Sequence, residues 1–398
     1  MNDRESCRIL QVTTYPIDNP DHGGKLRCHY IRKKLREESI VETLSFDFTD
    51  EESVDGFAVK LNKDKFLSEI GHGYLMDWGI NTYLEKEQQI KEQVFDLVNQ
   101  YSPHILVLEQ PFLWPLLQEM KDKGVVSDNV FTIYSSHNVE VDLKRSIYKD
   151  IFSDDDYKKN IEIVQNIELE VAKNADLSLA VSDLDVNYLK SVAPLVPVLL
   201  YQNGHAGMGE TPQVEKWKKK FLGAKYNWIF IGSWHGPNIN GLVRLLQGGL
   251  LDLNPKDVCL WVFGGAGLGL KNIMEIEGGP DMTIQIIGPS SQEDIDSAIV
   301  ASSGIVLPIW EGGGSNLKTA QALLSGKTVV ATSYSFRGVE HHSGSDGVYL
   351  YDQPREMVKA LGEMNVASYD RSEAFEELHW ASLLKSLPHN IQLHRAKR

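Results

Sequence analysis

Short apolar runs alternate with stretches of helical periodicity along most of the chain. Cys7–Thr13, Ile40–Phe46, His104–Glu109, Val130–Ser135, Leu177–Ser182 and Val196–Tyr201 read as buried strands. Lys25–Arg36, Glu85–Gln100, Pro115–Lys123, Ile161–Asn174 and Asp183–Val192 read as helices, the second through Ile90, Val94, Leu97 and Val98. Asp47–Asn81 follows neither period and is left unassigned. His205–Tyr226, polar with a lysine run, breaks the alternation and reads as a linker. Strands then resume at Trp228–Gly232, Val258–Phe263, Thr283–Ile287, Gly304–Trp310 and Thr328–Thr332. Helices are expected at Asn238–Leu246, Gln292–Ala301, from Leu317 to Leu324, Pro354–Leu361 and Glu373–Leu384. Two runs of strand-helix alternation predict two α/β domains, each an open, mostly parallel sheet with helices on both faces.

In such sheets ligands bind beyond the carboxyl ends of strands. Gly23-Gly24, Glu109-Gln110 and His137-Asn138 all stand at or just past such ends. The most informative of these places is Ser303–Val339. An apolar strand runs into Glu311-Gly312-Gly313-Gly314, Ser315 or Asn316 can cap a helix, and Gly326 ends that helix before the next strand. A glycine turn opening a helix aims free N–H groups and the helix dipole at one point, so an anion such as a phosphate is expected there.

Composition narrows the picture. The 398 residues are enough for two or three domains. A net charge of −15 excludes broad nucleic-acid binding. The basic runs Arg32–Arg36 and Lys216–Lys220 read as solvated helix faces, with peripheral membrane contact as the alternative. Cys7, Cys28 and Cys259 are scattered without metal spacing, which fits a reducing cytoplasm. The polar start of the chain predicts no secretory signal, and no apolar run approaches the roughly 20 residues of a membrane span.

Several motifs fall short of familiar chemistry. Gly312–Thr319 nearly matches the Walker phosphate loop, but Leu317 stands where the last glycine is required. Gly264–Leu270 lacks the third glycine of a dinucleotide fingerprint. Asp154–Asp156 could hold a metal, or could simply favour a helix N-terminus. His341-His342 could form a ligand pair, but no third ligand is in view. No serine-hydrolase elbow is present.

Gly312–Lys318, continuing through Ala322, Gly326–Thr332 and Gly338, resembles the nucleotide-sugar site of GT-B glycosyltransferases of the retaining "group 1", family-four type. Gly23, Gly24 and Arg27 are similar to that family's acceptor-side glycine loop. Ser135–Glu140 is similar to its strand-end His-Asn segment, and Ile231–Ser233 to the first turn of its second domain. The resemblance implies two Rossmann-like, doubly wound domains facing across a cleft. Their expected spans are 1–205 and 227–372, with 206–226 as linker and 373–398 as a tail crossing back to the first domain.

It further implies a donor site of Gly232, Ser233, Gly288, Pro289, Gly313, Gly314, Ser315, Asn316, Leu317, Lys318 and Gln321. The acceptor side would be Gly23, Gly24, Lys25, Arg27, Glu109 and Asn138, with His137 and Lys318 catalytic. No metal or other cofactor is expected. The activity implied is transfer of a sugar from a nucleoside-diphosphate sugar to an acceptor hydroxyl with retention, in glycan, polysaccharide or glycolipid synthesis. The acceptor would be a glycan, a lipid-linked molecule or a small molecule. The place would be the cytoplasm or the inner membrane surface.

Three features depart from the family pattern, one being a second carboxylate that falls on Gly313, with Glu311 nearby but out of register. The family's ribose-binding glutamate falls on Gln321, and its diphosphate arginine after the first strand of the second domain is replaced by Ser233-Trp234-His235, leaving Lys318 and Arg337 as substitutes. A non-catalytic nucleotide-sugar-binding subunit and a nucleotide-sugar epimerase are the alternatives.

Overall fold

The computed structural model describes residues 7–18, 20, 22–49, 56–274, 282–313, 316–370 and 375–398. The chain divides into two units, one of Met1–Gln202 with Leu384–Arg398, the other of Asn203–Leu383.

In the first unit β1 (Arg8–Val12), α1 (Gly23–Leu35), β2 (Ile40–Asp47) and β3 (Phe57–Lys60) come in sequence. Next are α2 (Lys63–Ile70), α3 (Met76–Lys86), α4 (Gln88–Tyr101), β4 (Ile105–Glu109) and α5 (Trp114–Asp122). Then follow β5 (Phe131–Ser135), α6 (Glu140–Tyr148), α7 (Asp154–Asn174), β6 (Leu177–Ala180), α8 (Asp183–Val192) and β7 (Val198–Leu200). The seven strands form one sheet in the order β3-β2-β1-β4-β5-β6-β7. Every pairing is parallel, with Ile9 opposite Val41 on one side and Ile105 on the other. All five residues of β4 are buried, as a central parallel strand covered on both faces requires. The strand order reverses between β1 and β4, which makes their carboxyl ends the expected ligand position.

The second unit opens with α9 (Val214–Phe221), which lies inside the stretch that reads as a linker. Its Trp217 is fully buried, packed against Phe221, Trp261 and Phe263. The chain continues as β8 (Tyr226–Ile231), α10 (Gly236–Gln247), β9 (Val258–Phe263), α11 (Gly265–Met274), β10 (Ile284–Gly288) and α12 (Gln292–Ala301). After these come β11 (Gly304–Leu307), α13 (Leu317–Leu324), β12 (Thr328–Ala331), β13 (Val348–Leu350), α14 (Pro354–Glu363) and α15 (Trp380–Leu383). The sheet order is β10-β9-β8-β11-β12-β13, again all parallel, with its reversal between β8 and β11. Alternate residues of β8 serve opposite layers. Trp228 and Phe230 pack with Leu242, Leu245 and Leu361, whereas Ile229 packs with Trp217, Ile299 and Leu323.

The last helix, α16 (Leu387–Arg395), returns to the first unit and lies on α1. Asn390 Nδ2 donates to Tyr201 Oη at 2.8 Å, and Arg398 Nη2 to Asp128 O at 2.7 Å.

Some sequence expectations change. Asp47–Asn81 contains β3, α2 and the start of α3, short elements whose periods are too brief to read. The single helix expected at Glu373–Leu384 is not formed. Among the described residues, a 3-10 turn at Glu376–Leu378 gives way to extended backbone at His379 before α15. Asp154–Asp156 form the first turn of α7, where the helix dipole favours acids. The basic runs are partly engaged: Arg32 is buried and donates to Thr43, and Lys216 pairs with Asp294 at 2.9 Å. No helix among the described residues is long and apolar enough to cross a membrane.

Candidate functional site

In the first unit, three strand ends meet at the reversal point. Glu109 closes β4, and His137 stands two residues beyond β5. Both are buried, and His137 Nε2 lies 2.9 Å from Glu109 Oε2. The other Glu109 oxygen accepts from Gln11 Nε2 of β1 at 2.6 Å, and the same amide donates to Cys28 O of α1 at 2.9 Å. Burial alone would raise the Glu109 carboxyl. The hydrogen bonds from His137 and Gln11 and the charge of Arg27 reverse this and hold it below the usual carboxylate range. Burial pushes His137 down against the pull of Glu109, so it is neutral near pH 7. Nε2–H then donates to the carboxylate, and the buried Nδ1, which makes no hydrogen bond, carries the lone pair.

Glu109 thus stands behind His137, with both its oxygens taken. Arg27 is also fully buried, donating from Nη1 to Tyr201 O at 2.8 Å. Gly23 opens α1, His22 caps it by accepting from Lys25 N, and Gly24 lies so close to Tyr15 that a Cβ would come within 2.5 Å of its hydroxyl. Asn138 is partly buried, and its amide donates to Glu140 Oε1 at 3.3 Å. Burial, with Asp77 adding and Lys144 opposing, pushes Glu140 up to about 7. Gln110 takes φ 69°, a left-handed conformation rare for a residue with a side chain, at this same strand end.

In the second unit the ends of β8, β9 and β10 are tied through glycine backbone. Gly264 N donates to Gly288 O at 2.7 Å, and Ala266 N to Gly232 O at 2.9 Å. Gly264 has φ 82° and lies so near Gly232 that a Cβ would meet its carbonyl oxygen at 2.4 Å. Ser233 and Pro289 are exposed beside the buried Gly232 and Gly288.

Across the reversal point, the chain leaving β11 is braced by α10. Gly241 packs against the Pro308 carbonyl, Asn240 Nδ2 donates to Glu311 Oε1 at 2.6 Å, and the Arg244 guanidinium stacks over Trp310. Gly312 follows with φ 123°. The segment after β12 braces the other side: Tyr334 Oη donates to Gly312 O, and Arg337 Nη2 donates to Gly313 O at 3.0 Å. Gly314 and Ser315 lie outside the described residues.

Asn316 is buried at the start of α13, with its amide aimed at Ser335 O, 3.4 Å away, and not at a cap position. Leu317 is partly buried in the first turn. Lys318 follows, also partly buried, and makes no hydrogen bond or ion pair among the described residues. Burial, with the charge of Arg337 adding, lowers its ammonium to about 8. A cation kept beside another cation at a helix start is an arrangement completed by an anion. Gln321, one turn on, is 7% exposed; its Nε2 lies beside Asp296 of α12 without a well-formed hydrogen bond.

Sequence reasoning gave no site role to Gln11, Cys28 or Tyr334, and reached Asn240 only as the end of the segment Ile231–Asn240 that resembles the family's first strand-turn. Only Gln11 left a signal, as a polar residue inside the apolar run of β1. The others act through contacts between elements distant in the chain.

No protein-family model and no curated protein matches the chain. Solved structures do match. Over 98% of its length the chain is similar to a sucrose-phosphate synthase from Thermosynechococcus elongatus, at 14% identity, 100% coverage of that chain and a TM-score of 0.60. It is similar over 98% to a structure described as trehalose-6-phosphate from E. coli bound with UDP-2-fluoro glucose, at 10% identity, 97% coverage and a TM-score of 0.61. Over 98% it is also similar to Anabaena HepE in complex with UDP and glucose, at 13% identity, 98% coverage and a TM-score of 0.59. At such identities the likeness establishes the fold, two Rossmann-like domains of the GT-B kind, and the fold alone.

Proposed function

We propose that this chain is a glycosyltransferase that moves a sugar from a nucleoside-diphosphate sugar to an acceptor hydroxyl. The observation that carries this reading is Lys318. It is a partly buried ammonium, without a partner among the described residues, at the start of α13, next to a glycine turn and to Arg337. A diphosphate supplies the anion that two neighbouring cations at a helix start call for.

In the reaction the bond between the anomeric carbon and the diphosphate oxygen breaks, and its electron pair leaves with the diphosphate. Lys318 and Arg337 stabilise that charge as it develops, the largest contribution a protein makes to such a step. The acceptor oxygen bonds to the anomeric carbon, and its proton passes to the departing diphosphate oxygen. On the other unit, His137 is the group proposed to contact the transferred sugar or the acceptor, oriented by Glu109. Retention of the anomeric configuration belongs to the proposal and is read from the product by NMR. UDP-hexoses are the first donors to test, because the neighbouring structures from E. coli and Anabaena are described with UDP or a UDP-sugar.

The test is release of nucleoside diphosphate from a panel of UDP-, GDP-, ADP- and dTDP-sugars with a broad acceptor set. Turnover with one donor supports the reading. Absence of binding to every donor sinks it. A second reading, a nucleotide-sugar-binding subunit without turnover, is favoured by Gln321, whose neutral amide lies beside Asp296 where the resemblance expects a carboxylate. Binding without turnover across the panel would favour it.

A further inference from the structure

One histidine pair of the second unit lies outside the residues assigned above to sugar transfer. His341 and His342 are the last residues of a 3-10 turn, Glu340–His342, with ring centroids 4.0 Å apart. His341 is exposed, whereas the His342 side chain is only 9% exposed. The turn Glu376–Leu378, distant in sequence, brings Glu377 against both. Its Oε1 lies 3.1 Å from His342 Nε2 and 4.0 Å from His341 Nε2. One donor atom from each of the three side chains lies within 4.8 Å of the others.

The buried His342 Nε2 faces the carboxylate oxygen without a well-formed hydrogen bond. Two ligands held 2.0–2.1 Å from a tetrahedral ion stand about 3.3 Å apart. The observed 3.1 Å is close to that separation.

We propose that His341, His342 and Glu377 form a divalent-metal site whose fitting ion is zinc. Two imidazoles and one carboxylate are borderline ligands that suit zinc, with a fourth position open to water. Magnesium and calcium prefer all-oxygen shells. The ion joins the turn at 340–342 to the turn at 376–378. It also steadies the segment that presents Arg337, because Glu340 in the same turn accepts Gly338 N–H at 2.8 Å. The role is a clamp beside the anion site, independent of whether that site transfers sugar.

The test uses the full chain without a polyhistidine tag, stripped with a chelator and titrated with zinc against a chromophoric indicator. Bound metal is counted by mass spectrometry, and the melting temperature is followed with and without zinc. The expected result is one zinc per chain and a higher melting temperature with zinc. His341→Ala and Glu377→Gln, both at exposed side chains, should each weaken binding at least tenfold while melting like the parent without zinc. No zinc bound by the parent chain overturns the proposal. So does a loss smaller than tenfold in either variant, which would put the ion elsewhere, for instance at Cys28, Glu109 and His137.

Discussion

Lys318 and Arg337 serve one glycine turn from two directions. Arg337 donates to Gly313 O at 3.0 Å, and its charge, with burial, holds the Lys318 ammonium at about 8. Arginine is committed to the turn, and lysine is left without a partner among the described residues. Removing the lysine therefore removes the group reserved for the ligand. Lys318→Ala should lower diphosphate release by about 10²–10³-fold. Its melting temperature should not fall, since no hydrogen bond or ion pair among the described residues is lost and a desolvated cation is removed. Turnover near the parent's would refute the role.

The same pair sets a pH dependence. An ammonium with a value of about 8 is mostly charged at pH 7 and only about one-tenth charged at pH 9. The dissociation constant for UDP should rise roughly tenfold over that interval. Lys318→Arg, which does not titrate there, should give a flat profile. Unfolding does not explain such a loss. A lysine lowered in the fold from 10.5 binds fewer protons folded than unfolded, so this group adds stability as pH rises between the two values. Calorimetric titration at four pH values decides; equal slopes for both proteins would count against Lys318.

Glu109 accepts from Gln11 on one oxygen and His137 on the other. Glu109→Gln offers only one oxygen, so one of the two donors loses its partner and His137 is free to change tautomer. Turnover should fall about 10–100-fold, the scale seen when an orienting partner of a functional histidine is removed. The melting temperature should drop modestly, and UDP affinity should hold, because Glu109 lies in the other unit from the glycine turn. Unchanged turnover would make the Glu109–His137 pair purely structural.

Gly241 tests how α10 supports the anion site. A Cβ there would meet the Pro308 carbonyl oxygen at 2.0 Å, whereas one at Gly236 in the same helix meets nothing within 4 Å. Gly241→Ala should cost about 1–3 kcal/mol by overpacking. The melting temperature should fall by several degrees and UDP binding should weaken, since Pro308 begins the segment that leads to Gly312. Gly236→Ala should change neither, and equal effects from the two would show that the close approach is not what matters.

Gln321→Glu would set a second carboxylate beside Asp296, which burial already raises. Carboxyls raised in the fold hold protons that the unfolded chain has released, so their contribution to stability falls as pH rises above the unfolded value. The variant should melt several degrees below the parent at pH 8 and close to it at pH 5, without a gain in UDP affinity. A tighter UDP complex would instead place this side chain on the ligand.

The alternation of apolar runs and helical periods was enough to read two parallel-sheet units, because a strand buried on both faces must be apolar along its length. Ile105–Glu109 shows this, and the helical period was as legible at Gln292–Ala301, where expected and observed helix bounds are the same. Asp47–Asn81 shows the limit, for β3 and α2 are too short to display a period. The glycine turn before α13 could be proposed from the sequence as an anion site, since glycine and helix geometry are local properties. The sequence by itself therefore determined the fold class, the strand ends that matter and Lys318 as the residue to watch. Only the tertiary structure decided who stands beside whom. It set Arg337 on Gly313, put Glu109 behind His137, and brought Glu377 to His341 and His342. Those pairings join segments far apart in the chain, and local patterning carries no information about which distant loops a sheet will bring together.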